Sequence, residues 1–402
     1  MLFCFSLFNA QNKNLDFNTF AKKQDSLMLK AYYSKNSKEF EKVLKEFETK
    51  YQKLPKDDKE NFQGYYSNGF YNLACLYSLL NNKEKALINL EKSIKEGQND
   101  YVHIQKDSDL DNIRNEEKYK SLVKFLNNNY NYLEILKKSD GYEKADYPSL
   151  PKFTYQDKNN PNLVALREKY KLDSVAGKGK DATRLINLLH YAHYLVKHNG
   201  SGGLPYARNS LNIISECKAE KKGVNCRGMA MVLNDMYLSM GYKSRYVSCI
   251  PKDSLKIDTD THAITMVFAN DIKKWVLMDP SFDLYVMNEK GELLGIDELR
   301  DRLINDKPLI LNPDANHNRE NSIGIKDQLY NYMAKNLYFI ECPLHSEFDY
   351  ETPKEGKAIE FVRLVPSNHY EKSLEDIIVD DKMLKRIKHK THNADYFWQK
   401  PE

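Results

Sequence analysis

Cys226, His262 and Asp279 supply a thiol, an imidazole and a carboxylate, in that order along the chain. Together they are the parts of a cysteine acyl-transfer site. A thiolate attacks a carbonyl, an imidazole carries the proton, and a carboxylate orients the imidazole. Cys226 closes the run Gly223-Val224-Asn225-Cys226. If a helix begins there, its unpaired N–H groups and its dipole favour the thiolate, the attacking form of the residue.

The elements needed to hold these groups are legible around them. Met229, Val232, Leu233, Met236, Tyr237 and Met240 recur at helical spacing and predict one apolar face. Asn225 is suited to cap that helix and Gly241 to stop it, so Cys226 falls in the first turn. Lys243 to Ile250 reads as a strand, and Pro251 to Thr261 as a polar loop. A second strand opens at His262. Asn270-Asp271 marks a turn, and a third strand runs from Lys274 to Asp279. Folding that hairpin places Asp279 almost opposite His262 or Ile264, within reach of the imidazole on one face.

Gly223-x-x-Cys226, Leu238-x-x-Gly241-Tyr242-x-x-Arg245, His262-Ala263 and Trp275-x-x-x-Asp279-Pro280 resemble the core of the transglutaminase-like superfamily. The resemblance covers roughly Asp181 to Asp283. It implies a papain-like fold in which Cys226 is the nucleophile, His262 the base and Asp279 the orienting acid. Two positions depart from the family pattern: Ile264 stands where an aromatic residue is frequent, and Lys274 where Gly is usual. Asp181 to His198 reads as a helix with Leu185, Leu188, Leu189, Ala192 and Leu195 on its apolar face. In the family this helix often carries an aromatic residue whose polar edge faces the oxyanion. Tyr191 is the nearest candidate, with His190 and His193 beside it. Its hydroxyl and the Cys226 N–H would then be the donors, the alternative being a half-buried Tyr satisfied by water.

The rest of the composition narrows the function classes. A chain of 402 residues suggests two or three domains. Its 61 Lys and Arg against 57 Asp and Glu are interspersed, which gives no reason to expect nucleic acid or an anionic membrane. An aromatic content of 12% fits a packed globular chain. None of the six cysteines forms a Cys-x-x-Cys pair, so no zinc site is signalled. Cys75, Cys217, Cys249 and Cys342 read as core residues, although an oxidising compartment would allow a pair such as Cys217 and Cys249. His317, His345, His369, His389 and His392 lack ligand spacing, and no metal or cofactor is expected. The glycine-rich Asn199 to Gly203 matches neither a phosphate loop nor a dinucleotide fingerprint and reads as a loop near the cleft.

Residues 1–11 resemble the back half of a secretory signal peptide, or else a buried strand. The first reading predicts export to the periplasm or outside the cell; the alternative is a cytoplasmic protein. Residues 12–138 read as a helical domain. Phe70, Leu73, Ala74, Tyr77, Ala86, Leu90 and Ser93 fall on the signature positions of a tetratricopeptide repeat, with a turn at Asn81-Asn82. Such a unit is either a docking groove for a protein partner or a helical cap. Residues 139–160, with Pro148, Pro151 and Pro161 in or beside them, read as a linker. Beyond the triad, strand is expected from Phe282 to Met287, and helix at Ile296 to Ile304 and at Gln328 to Tyr338. A basic surface tail is expected around Lys385 to His392.

The expectation is an α+β chain: a repeat-like helical domain, then a transglutaminase-like domain over 161–402 with an antiparallel sheet. Its expected chemistry is acyl transfer on protein or peptide amides, hydrolytic rather than cross-linking. The competing readings are a silent fold that serves as a binding scaffold and a redox-sensing thiol.

Overall fold

The computed structural model describes residues 4–139, 141–142, 150–252, 260–367, 369, 377–379 and 384–402. The chain divides into two compact units, Met1–Asn131 and Tyr132–Glu402.

The first unit is helical: α1 (Cys4–Tyr33), α2 (Ser37–Tyr51), α3 (Lys56–Leu79), α4 (Lys83–Lys95), α5 (Tyr101–Lys106) and α6 (Glu117–Tyr130). Most of the candidate leader therefore lies on the helical backbone of α1 and not in a strand; residues 1–3 lie outside the described residues. Phe40, Val43, Leu44, Phe47 and Tyr51 recur on one face of α2, and all are buried. The pair α3 and α4 turns where expected. Asn81 adopts a left-handed φ of 60°, and Asn82 Oδ1 accepts from Lys85 N at 3.1 Å. Ala74 and Ala86 are fully buried, which lets the two helices approach closely. Asp107 closes the far end by accepting from the Tyr71 hydroxyl at 2.6 Å and from Asp109 N at 3.0 Å.

The second unit begins with α7 (Tyr132–Lys137). Of the stretch expected as linker, Asp140 and 143–149 lie outside the described residues, and Thr154–Tyr155 pair in parallel with His345–Ser346. Helices α8 (Pro161–Lys169), α9 (Leu172–Ala176), α10 (Asp181–Leu195) and α11 (Ser210–Glu220) lead to α12 (Cys226–Ser239). The sheet is built from β1 (Ser244–Ile250), β2 (His262–Ala269), β3 (Lys274–Met278), β4 (Phe339–Pro343), β5 (Ala358–Leu364), β6 (Ile377–Val379) and β7 (Lys385–Thr391). Helix α13 (Ile296–Ile304) lies between β3 and β4 in sequence, on the residues expected.

The strand order is β6-β7-β5-β4-β1-β2-β3, antiparallel except where β5 and β7 run in parallel. Alternate residues of the central strands serve two cores. Tyr246, Ala263, Val267, Val276 and Met278 pack with α10, α11 and α12. Val247, Ile264, Met266, Trp275 and Leu277 pack with α13 and the segment before β4. With both faces covered, β1 and β2 are buried along their whole length.

Three local expectations are corrected. Helix α12 is buried from Gly228 to Ser239 on every side, not along one face. Its polar residues are satisfied inside: Asp235 Oδ2 accepts from Ser210 N at 2.9 Å, and Asn234 Nδ2 donates to Ser346 Oγ at 3.1 Å. The basic run at Lys385 is strand β7 and not a surface tail. Its charges have partners across the sheet, with His389 Nε2 2.7 Å from Glu360 Oε2 and Lys388 Nζ 3.2 Å from Glu341 Oε2. Of the strand expected from Phe282 to Met287, only Val286–Met287 are strand. The preceding residues form a tight turn, in which Asp279 and Leu284 exchange backbone bonds of 2.8 and 3.0 Å. Among the described residues, no helix is long and apolar enough to cross a membrane.

Candidate active site

Cys226 is the first residue of α12. The Asn225 side chain caps the helix, its Oδ1 accepting from Gly228 N at 3.1 Å. The first N–H groups of a helix have no partner within it, so those of Cys226 and Arg227 are available to an anion. Two glycines press a neighbouring segment against this start. Asn199 N donates to Val224 O at 2.9 Å, and Val224 N donates to Lys197 O at 3.0 Å, a parallel bridge two residues before the thiol. A Cβ on Gly223 would lie 2.7 Å from Lys197 O, and one on Gly202 would lie 2.8 Å from Gly223 O. Only glycine allows this approach.

His262 begins β2 and is almost wholly buried, as is Asp279. The β2–β3 register pairs Thr265 with Met278, and its continuation sets Asp279 opposite Ile264. His262 is therefore the diagonal neighbour of Asp279 on the same face. His262 Nε2 donates to Asp279 Oδ2 at 2.6 Å, and Asp279 Oδ1 accepts from Ser281 N at 2.9 Å. The other ring nitrogen, Nδ1, is buried without a hydrogen-bond partner among the described residues. Phe282 and Tyr332 wall the imidazole, with ring centroids 5.5 and 5.2 Å away.

The electrostatics couple the thiol to this pair. Burial pushes the half-buried Cys226 thiol up. The rings of His198 and His262, the charge of His262 and the Ala263 N–H outweigh that and bring it down to about 6. Burial disfavours the imidazolium of His262. The Asp279 carboxylate and the Cys226 sulfur outweigh it and hold His262 at about 10. A thiolate beside an imidazolium is the state these neighbours favour. The other thiols differ. Burial raises Cys75, Cys217, Cys249 and Cys342, and all four are free, so Cys217 and Cys249 are not paired.

Tyr191, His190 and His193 all lie on α10. Tyr191 is half-buried, with Tyr170 and Tyr194 as its ionisable neighbours. His193 is buried between Pro280 O at 2.8 Å and Asn316 Oδ1 at 3.0 Å. His190 Nδ1 lies 2.7 Å from Asp283 Oδ1, a hydrogen bond that raises the imidazole above its usual range. Both histidines thus brace the turn that follows Asp279. His190, Asp283 and Asp314 also form the one group among the described residues with donors close enough together for a cation, with His190 between the two carboxylates, Nδ1 2.7 Å from Asp283 Oδ1 and Nε2 3.6 Å from Asp314 Oδ2.

Sequence reasoning missed His198. It lies just beyond α10, held against Val224 by the parallel bridge, and it is the polar neighbour that this region gives to Cys226. A bridge between segments so far apart in sequence leaves no periodic signal.

Residues 173–280 match the model of the transglutaminase-like superfamily. Among curated proteins, the chain is similar to a chloroplastic protein of Arabidopsis thaliana, at 31% identity over 104 residues. That match covers 26% of this chain and spans only 29% of the relative's length. No solved structure matches the chain. The Cys226 helix and the His262–Asp279 hairpin lie inside the matched segment, and the chain carries a transglutaminase-like superfamily domain at residues 173–280.

Proposed function

We propose that this protein is a cysteine-dependent acyl transferase acting on protein or peptide amides, with Cys226 as nucleophile, His262 as acid and base, and Asp279 as orienting acid. One observation carries the reading. His262 commits Nε2 to Asp279 at 2.6 Å and keeps Nδ1 unpartnered beside a thiol at a helix start.

The Cys226 thiolate attacks the amide carbonyl carbon. A C–S bond forms, and the carbonyl π pair moves to oxygen. The Cys226 N–H, unused by the helix, donates to that oxygen. His262 Nδ1–H gives its proton to the leaving nitrogen as the C–N bond breaks, which leaves a thioester. His262, now neutral, takes a proton from water or from a second amine as that nucleophile attacks, and the thiolate departs. Asp279 stays ionised and keeps the imidazole in register throughout. Hydrolysis, as a peptidase or amidase, is the preferred outcome over cross-linking. Export and a docking role for the repeat-like helical unit belong to the same proposal.

The test is incubation with a defined peptide mixture and a biotinylated alkylamine, read by mass spectrometry. Hydrolysis gives new termini or deamidated side chains, and transamidation gives amine adducts. Both are expected to vanish in Cys226→Ser. If neither product forms and no thioester is trapped on Cys226, the scaffold reading replaces this one.

A further inference from the structure

His198 is an imidazole beside the start of α12 to which the reaction above gives no role. Its backbone is fixed on both sides. The parallel bridge to Val224 holds it from one side. From the other, His198 N donates to Asn318 Oδ1 at 2.7 Å, while Asn318 Nδ2 donates back to His198 O at 2.9 Å. Its ring is fixed as well. Nδ1 lies 3.0 Å from His317 Nε2, with the two rings at 80° to each other. Phe282 packs against His198, His317 and His262 at 5.9, 5.7 and 5.5 Å. The start of α12 is thus approached by two imidazoles from unrelated segments, with Phe282 packed against both. Each has one nitrogen engaged by a second residue: Asp279 for His262, and His317 for His198.

We propose that His198 is a second catalytic imidazole, set by His317 in the Nε2–H tautomer and donating to the carbonyl oxygen that becomes negative when Cys226 attacks. The proposal rests on the acyl-transfer reading of Cys226. In it, His317 Nε2–H donates to His198 Nδ1, which leaves His198 Nε2–H as the donor toward the cleft. Burial and the neighbouring His198 and His193 hold His317 below the usual imidazole range, consistent with a neutral donor. No proton is transferred in this step. The carbonyl π pair moves to oxygen as the C–S bond forms, is held by the His198 N–H, and returns as the leaving group departs. In this proposal His198 has the oxyanion role that the resemblance gave to Tyr191. His317 acts through His198 and is a positioning residue.

Two reagents separate this role from thiol activation. Alkylation by iodoacetamide passes through no oxyanion, whereas acetylation by p-nitrophenyl acetate does. Both rates are measured at Cys226 by peptide mass spectrometry, at the high-pH plateau where thiol ionisation no longer limits either. For His198→Ala the expected result is acetylation lowered about 100-fold with alkylation little changed. His198→Gln, which offers an amide N–H, is expected to recover most of the acetylation. His317→Ala is expected to fall between wild type and His198→Ala in acetylation alone. The proposal is overturned if His198→Ala slows both reactions equally or neither, or if the Gln variant is no better than Ala. Should His198→Ala fail to fold, the Gln and His317 variants decide by the same selectivity. A wild-type Cys226 inert to both reagents would instead remove the acyl-transfer reading itself.

Discussion

A cysteine at a helix start gains some acidity from the helix alone, but Cys226 has two imidazoles at its side as well. Its neighbours bring the thiol down to about 6 and hold His262 at about 10. A thiolate–imidazolium pair is therefore expected between those limits. In the proposed mechanism amide turnover needs both charges, so its rate is expected to rise through about 6 and fall through about 10. A turnover profile with a single rising limb near the ordinary thiol value of about 8.5 would contradict this. Asp279→Asn removes the charge that sustains the imidazolium. It is expected to cut turnover by roughly 10²–10⁴-fold and to move the basic limb downward from about 10, measured as a pH–rate profile. The three residues were legible because each sits at the end of an element with its own local signal: a capped helix, a strand start and a strand end. His198 carried no such signal, because a long-range backbone bridge places it beside the start of α12. Side-chain placement of that kind is set by tertiary contact and not by periodicity.

The elements hold this geometry through close backbone approaches. Gly223→Ala would drive a Cβ into Lys197 O, which belongs to the backbone and cannot swing away. It is expected to cost about 1–3 kcal/mol by thermal or denaturant unfolding and to displace His198 from the thiol. Inside α12, Asp235 carries a carboxyl that burial raises to about 7. Its folded value exceeds the unfolded one, so its contribution to stability is complete below the unfolded carboxylate range. That contribution is lost as pH rises through about 7. Asp235→Asn keeps an acceptor for Ser210 N and is expected to flatten this loss. Melting temperatures of the two proteins should converge in acid and separate in the variant's favour above neutrality; parallel curves would count against it. Helix α12 and the β2–β3 hairpin follow from apolar spacing and turn chemistry. Strand β7 was hidden because its charges are paired across the sheet, so a run that looks solvated is half-buried. The full burial of α12 was also hidden, because Asn234 and Asp235 find partners only in the folded chain.

At the scale of the molecule, each unit has its own core. Phe40, Phe47, Leu76 and Leu90 centre the first, and the two faces of the sheet centre the second. Residues 132–402 expressed alone are expected to fold and to keep the reactivity of Cys226. Circular dichroism with thiol alkylation checks this, and loss of both would show that the first unit is needed for the second to fold. The α+β class was legible because helical spacing fills the first part of the chain and strand signals gather after Cys226. The start of the second unit was harder to read. Tyr132–Lys137 continues the helical composition of the first unit, yet it packs in the second, where Leu136 is buried beside α13.

The most direct test is site-resolved alkylation of the folded protein by iodoacetamide across pH, in wild type and His262→Ala. The prediction is that wild-type Cys226 reaches half its full rate near pH 6, while Cys75, Cys217, Cys249 and Cys342 stay inert. His262→Ala should shift that limb up toward the ordinary thiol value of about 8.5. If Cys226 is inert, or titrates like a free thiol in both proteins, there is no coupled thiolate–imidazolium pair and the acyl-transfer account fails.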